Sequence, residues 1–225
     1  MDVYVACHVR VRNVVLRQIG GLVRTIGAGA SAVLDLVANP AEGGDNLVGH
    51  VLNILTAKNR PTRRLVETVL AVHGDRPNAQ LLVYVTPGMT RDELSAHLPA
   101  LVSLSKASLA DAFDRMLRAS KPRPMEASEV LVAIHMLDPR RDGVRLKAIA
   151  DAIKVCFEAK AHFDADALAT ALHQMVDKYV VMVGWGWGVR GGSLSSFCGY
   201  FFFATFRSQS HFVTGTRFRR YSCEQ

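Results

Sequence analysis

From residue 11 to residue 178 the sequence repeats one pattern, in which apolar residues recur at intervals of three and four between short breakers. This spacing places apolar side chains on one face of an α-helix, and that face must be buried against a neighbouring element. With so many consecutive amphipathic helices and no partner strands, the chain is restricted to folds that pack helix on helix.

The pattern predicts an all-α fold of about eight to ten helices joined by short turns. No strict sequence repeat is present, but the helix-turn-helix cadence favours an irregular solenoid of HEAT or armadillo type, built from paired antiparallel helices. The predicted helices lie at about 12–26, 31–38, 46–58, from Thr62, from Thr90, from Ser105 or Ser108, and at 128–137, 144–158 and 165–178.

Local signals support several of these helix boundaries. Thr90 with Glu93 three residues later is a capping box, and Ser31 is a plausible cap of the second helix. Leu81–Val85 is the one passage that resembles a strand. We predict a short helix there, because a strand without a partner would leave its backbone groups unpaired.

The formal charge is +7, but it gives only a weak indication of nucleic-acid binding. Residues 179–225 hold five arginines and one glutamate, which leaves a charge of +3 for residues 1–178. Four basic residues cluster near one turn, among nearby aspartates: Arg140, Arg141, Arg145 and Lys147. They could contact RNA or an acidic partner, or could form an ordinary solvated face.

The four cysteines fit neither a zinc pattern nor a disulfide framework, which favours a reducing compartment. We find no signal peptide, and no apolar run reaches the roughly 18 residues of a membrane helix.

The residues from 179 to 225 differ in character from the rest of the chain. They contain both tryptophans and seven of the ten phenylalanines, without a helical period. We interpret them as an aberrant or disordered tail, such as a read-through or mis-spliced end. A membrane-interface or aggregation-prone segment is the alternative. The stretch GWGWGVRGG lacks the glycine order of a nucleotide-binding loop.

The stretch KVCFEAKAHFDADAL contains four residues of metal-ligand type: Cys156, His162, Asp164 and Asp166. A structural interpretation explains all four. Cys156 shares the buried stripe of one helix, His162 lies in a turn, and the two aspartates begin the next helix, where acids are favourable.

Elsewhere the chain offers no nucleophile with a recognisable base and no pair of histidines with metal-ligand spacing. We interpret Asp111 and Asp114 as a solvated helix face. The chain is predicted not to be an enzyme, with no catalytic, cofactor-binding or metal residues and no small-molecule substrate.

Four blocks follow one another within residues 47–178: LLVYVTPGMTRDELSAHLPALVSLS, LADAFDRMLRA, MEASEVLVAIHMLD and LKAIADAIKVCFEAKAHFDADALATALHQMVD. In this order they resemble the C-terminal conserved region of the symplekin family. The first block contains an apolar segment, a Gly-centred turn and an acidic helix start. The family pattern ends near Tyr179.

The resemblance implies a non-catalytic nuclear scaffold of the machinery that cleaves and polyadenylates pre-mRNA. Its implied partners are the metallo-β-lactamase endonuclease and the inactive relative of that enzyme. We expect a fragment of a longer scaffold, with residues 1–46 ending a preceding helical-repeat region, 47–178 forming the symplekin-like domain, and 179–225 as the tail. The alternatives are a generic helical-repeat adaptor of another pathway and a weak RNA-contacting module.

Overall fold

The computed structural model describes the backbone of residues 2–186 and the side chains of residues 3–178. All regular structure in this part of the chain is helical, as the sequence predicts. The helices are α1 (Asp2–Ala6), α2 (Val9–Ile26), α3 (Ser31–Ala38), α4 (Asp45–Thr56), α5 (Arg63–Asp75), α6 (Ala79–Val85), α7 (Arg91–Val102), α8 (Lys106–Arg118), α9 (Ala127–His135), α10 (Leu146–Glu158) and α11 (Ala165–Gly186).

Helices that lie two apart in the chain pack on each other. Helix α4 contacts α2 and α6, α8 contacts α6 and α10, and two further pairs are α3 with α5 and α7 with α9. Chain neighbours also pack, notably α5 with α6 and α9 with α10. This alternation is compatible with the predicted solenoid of helix pairs. One compact unit ends at Asp177, and of the second unit the structure describes only the end of α11.

Side-chain caps set several helix starts where the sequence predicts them. The Thr90 hydroxyl accepts a hydrogen bond from the Glu93 backbone N–H, and the Glu93 carboxylate accepts one from the Thr90 backbone N–H. Ser105 caps α8 in the same way by accepting from the Ser108 N–H. The predicted cap at Ser31 is wrong, because Ala30 occupies the cap position of α3 without any side-chain hydrogen bond.

The strand-like passage at Leu81–Val85 is helical, which confirms the predicted short helix. Asn78 caps α6 by accepting from the Gln80 N–H. Four of the seven residues of α6 are buried, because α4, α5, α7 and α8 all pack around this helix. The apolar run that resembles a strand therefore belongs to a helix that is surrounded on several sides. It does not reflect the alternation of buried and exposed residues in a β-strand.

The last helix is longer than predicted. It continues to Gly186, eight residues past the expected end at Lys178. The added sequence is almost uniformly apolar, so it carries no periodicity from which a helix could be predicted. The rest of the predicted tail, including most of GWGWGVRGG, lies outside the described residues. Among the helices that the structure describes, none combines the length and apolar character that crossing a membrane requires.

Candidate interaction surfaces

The joint between α10 and α11 holds the four residues of metal-ligand type, and each has a different environment. Cys156 is fully buried in α10, and this burial raises the pKa of its thiol far above the usual range. Asp164 Oδ1 accepts a hydrogen bond from the Ala167 N–H at 2.8 Å, so it caps α11 as predicted. Asp166 is exposed in the first turn of α11. Within the described part of the chain, no three His, Cys, Asp or Glu residues are grouped to hold a metal.

His162 connects this joint to α8. Its Nε2 atom lies 3.0 Å from Asp114 Oδ1, and Phe163 beside it packs edge-on against Phe113 at 6.2 Å between ring centroids. Asp114 also pairs with Arg118. The pKa of Asp114 is lowered, mainly by the hydrogen bond from Arg118 and to a smaller extent by the contact with His162. Asp114 is therefore not the simple solvated carboxylate that the sequence indicates.

An open cleft of about 400 Å³ lies beside the joint, which we call the joint cleft. Its walls come from the end of α8, the turn before α9 with the start of α9, and the turn between α10 and α11 with the start of α11. The lining residues are Leu117, Arg123, Glu126, Ala127, Ser128, Ala161, His162, Asp164, Asp166, Ala167 and Thr170. Polar and small side chains dominate the lining, and the cleft is open to solvent. Both properties suit a segment of another macromolecule better than a small apolar ligand.

A second groove, of about 250 Å³, follows α4 and α6. Gly49 faces the Tyr84 ring there. The guanidinium of Arg115, on α8, lies 5.1 Å from the centre of the same ring. Arg115 also donates to Asn53 Oδ1 at 2.6 Å and pairs with Asp111 at 2.9 Å. This mostly buried arginine therefore joins α4, α6 and α8. Sequence reasoning missed it, because its partners on α4 are about sixty residues away.

The basic turn predicted as a possible RNA contact is exposed at all four of its basic residues. Arg141 is neutralised, since it forms an ion pair with Asp142 at 2.9 Å. Arg140, Arg145 and Lys147 form no ion pair with any residue that the structure describes. Three positive charges therefore remain available on one short segment.

The histidines do not assemble into a shared site among the described residues. His73 and His97 meet edge to face with ring centroids 5.4 Å apart. Burial, and to a smaller extent the neighbouring His73, lowers the pKa of His97. His73 Nδ1 accepts from the Asn78 N–H at 3.1 Å and so supports the start of α6. This pair is a packing contact between α5 and α7.

Comparison with known proteins adds one finding to this geometry. A protein-family model described as symplekin tight junction protein, C terminal, matches residues 78–183. No solved structure matches the chain. The matched segment runs from the cap of α6 into α11, so it begins later and ends slightly later than the resemblance at 47–178. It includes the joint cleft, the His162–Asp114 contact and the basic turn. This match, over a little under half of the 225 residues, supports the resemblance of this part of the chain to the C-terminal region of the symplekin family.

Proposed function

We propose that this protein is a non-catalytic scaffold of the machinery that cleaves and polyadenylates mRNA 3′ ends in the nucleus. The observation that carries the proposal is the family match over residues 78–183, which spans α6 to α10 and most of α11. The packing of the matched helices supports it, since stacked helices present long surfaces on which other proteins can dock. In this role the chain holds catalytic subunits in place and leaves the chemistry to them.

The proposed partners are the endonuclease of the metallo-β-lactamase class and its inactive relative, and the proposed docking surface is the joint cleft. The cleft lies within the matched segment and is built from three separate stretches of the chain. Asp164 and Asp166 are exposed at its edge, whereas Glu126 is already paired with Lys121 and Arg123. This arrangement favours a polar partner segment that carries basic side chains.

The test is a pull-down of the two purified partners by the full chain, with a matched pair of variants. Thr170 lines the joint cleft, whereas its neighbour Ala169 is exposed and does not line it. We expect Thr170→Arg to weaken capture about tenfold, as a change within an interface does, while Ala169→Arg leaves it unchanged. Failure of the folded chain to capture either partner would contradict the scaffold proposal. Equal effects of the two variants would contradict the cleft as the docking surface.

A weak RNA contact is the second candidate function, favoured by the three unpaired charges of the basic turn. Its measurement is the salt dependence of single-stranded RNA binding by fluorescence anisotropy. Arg140→Glu with Arg145→Glu should weaken binding and reduce the salt slope by about 1.4, since each phosphate contact on a single strand contributes about 0.7. Lys58→Glu, at an exposed site outside this turn, is the control. If the double variant binds RNA as tightly as the wild type, the turn does not have this function.

A further inference from the structure

Helix α2 uses one of its faces to join the fold. Leu16, Ile19 and Val23 on that face pack against a cluster that includes Val33 and Val51. The helix lies against α4 along this face. One side of α2 is therefore fixed by the interior of the protein, and its other side is turned outward.

The outward side of α2 carries large apolar side chains. Val11, Val14, Leu22 and Ile26 are 48%, 50%, 61% and 43% exposed. At 3.6 residues per turn Val14 falls opposite Val23, and the other three lie on one flank of the helix between these two positions. Five of the nine large apolar side chains that are exposed in the described part of the chain lie on α2. Single exposed apolar residues are normal, but this concentration on one helix is typical of an interaction surface.

A row of arginines borders this apolar face. Arg10, Arg17 and Arg24 follow one another at intervals of seven residues, so they lie along one edge of the helix. All three are exposed, and none pairs with a carboxylate among the described residues. Residues 3–34 contain no acid at all. The row is therefore a stripe of positive charge about 21 Å long, at a rise of about 1.5 Å per residue.

We propose that this face of α2, an apolar strip with an arginine row on one edge, binds an acidic amphipathic helix of a partner protein. Helices pair when apolar positions recur every three and four residues, and charges beside the seam select the partner. The guanidinium groups fit carboxylates in a bidentate manner, which favours glutamate or aspartate at the same seven-residue interval.

The charge pattern also argues against the other occupants of such a face. A second copy of this chain would bring a second arginine row, and α2 has no acidic residue that could pair with it. A lipid surface is less suitable, because two of the four exposed apolar residues are valines and the face lacks the tryptophan and phenylalanine typical of interfacial helices. The partner helix is thus a protein segment of opposite charge.

The probe is a fluorescein-labelled helical peptide of about three heptads, with leucine at the seam and glutamate on the flank. Anisotropy with the full chain should show saturable binding. Arg10→Glu, Arg17→Glu and Arg24→Glu together should weaken it about tenfold, the sum of three modest exposed pairs. A peptide with lysine in place of glutamate should bind the triple variant better than the wild type. Arg64→Glu, at an exposed position of α5, is the control.

Several outcomes would overturn this inference. The first is that the glutamate peptide shows no saturable binding. The second is that the triple variant binds this peptide as well as the wild type does. The third is that the wild type binds the glutamate and lysine peptides equally. Stronger binding to vesicles that contain phosphatidylserine would assign the face to lipid. Self-association that Leu22→Asp abolishes would assign it to a second copy. Because α2 precedes residues 78–183 and no endonuclease is used, the result is independent of the scaffold proposal.

Discussion

At Gly88 the backbone leaves no room for a side chain. A Cβ atom there would lie 2.8 Å from Val66 Cγ2 and 3.1 Å from both Cβ and the carbonyl oxygen of Pro61. The short turn after α6 thus presses directly against the start of α5 and the residues before it. The Gly-centred turn in the first symplekin-like block therefore has a steric reason, which is the close approach of two backbone segments.

Glu93 holds the start of α7 through two kinds of contact. Its carboxylate accepts from the Thr90 N–H at 2.8 Å and pairs with both terminal nitrogens of Arg63, at 2.8 and 2.5 Å. The hydrogen bond from Arg63 is the main reason that the pKa of Glu93 falls from 4.5 to about 2. Glu93 thus attaches the beginning of α7 to α5.

We predict that Glu93→Gln lowers the urea midpoint of unfolding at pH 7, and that this difference shrinks in acid. The folded pKa lies below the unfolded one, so the stabilising charge is fully present above about pH 4.5 and lost as the pH falls toward 2. Urea denaturation at pH 7, 5 and 3 measures it. Glu67→Gln is the control, because Glu67 is an exposed partner of the same Arg63 and should have a smaller effect. A difference that is constant with pH would contradict the prediction.

At the scale of the elements, the sequence predicts most helices, because the buried stripe of each appears in the sequence as apolar residues at intervals of three and four. It could not predict the end of α11, where a uniformly apolar run hides the period. It could not predict the His162–Asp114 contact or the role of Arg115 either. Each depends on residues about 50 to 60 positions apart. Such contacts are set by which helices stack, and local patterns do not record that.

Helix α6 packs against four other helices, so shortening a side chain at its centre should cost much stability. Leu82 at its centre is completely buried, with helices on several sides. We predict that Leu82→Ala lowers the free energy of unfolding by about 2–5 kcal/mol, from lost burial and the cavity left behind. Urea denaturation followed by far-UV circular dichroism measures it. Leu22→Ala is the matched control, because that leucine is 61% exposed and should change stability by less than about 0.5 kcal/mol.

At the scale of the whole molecule, burial is unevenly distributed along the chain. Helix α2 has 18 residues and buries only Val23, whereas α6 has seven residues and buries four. Since local opening is cheapest where few apolar contacts are lost, the chain should open from its first helices. The segment that matches the family model, residues 78–183, should then contain the most stable part of the described structure. The α2 face lies on the part that opens most easily.

This gradient predicts the order of native-state hydrogen exchange. Amides of α2 should exchange through openings of lower free energy than those of α6 and α8, as measured by mass spectrometry on the full chain. Adding the acidic helical peptide should then protect α2 and leave α6 unchanged, because binding stabilises only the element that it covers. If α2 is already protected as strongly as α6 without the peptide, its apolar face is covered in solution. Both the proposed gradient and the free docking face would then be wrong.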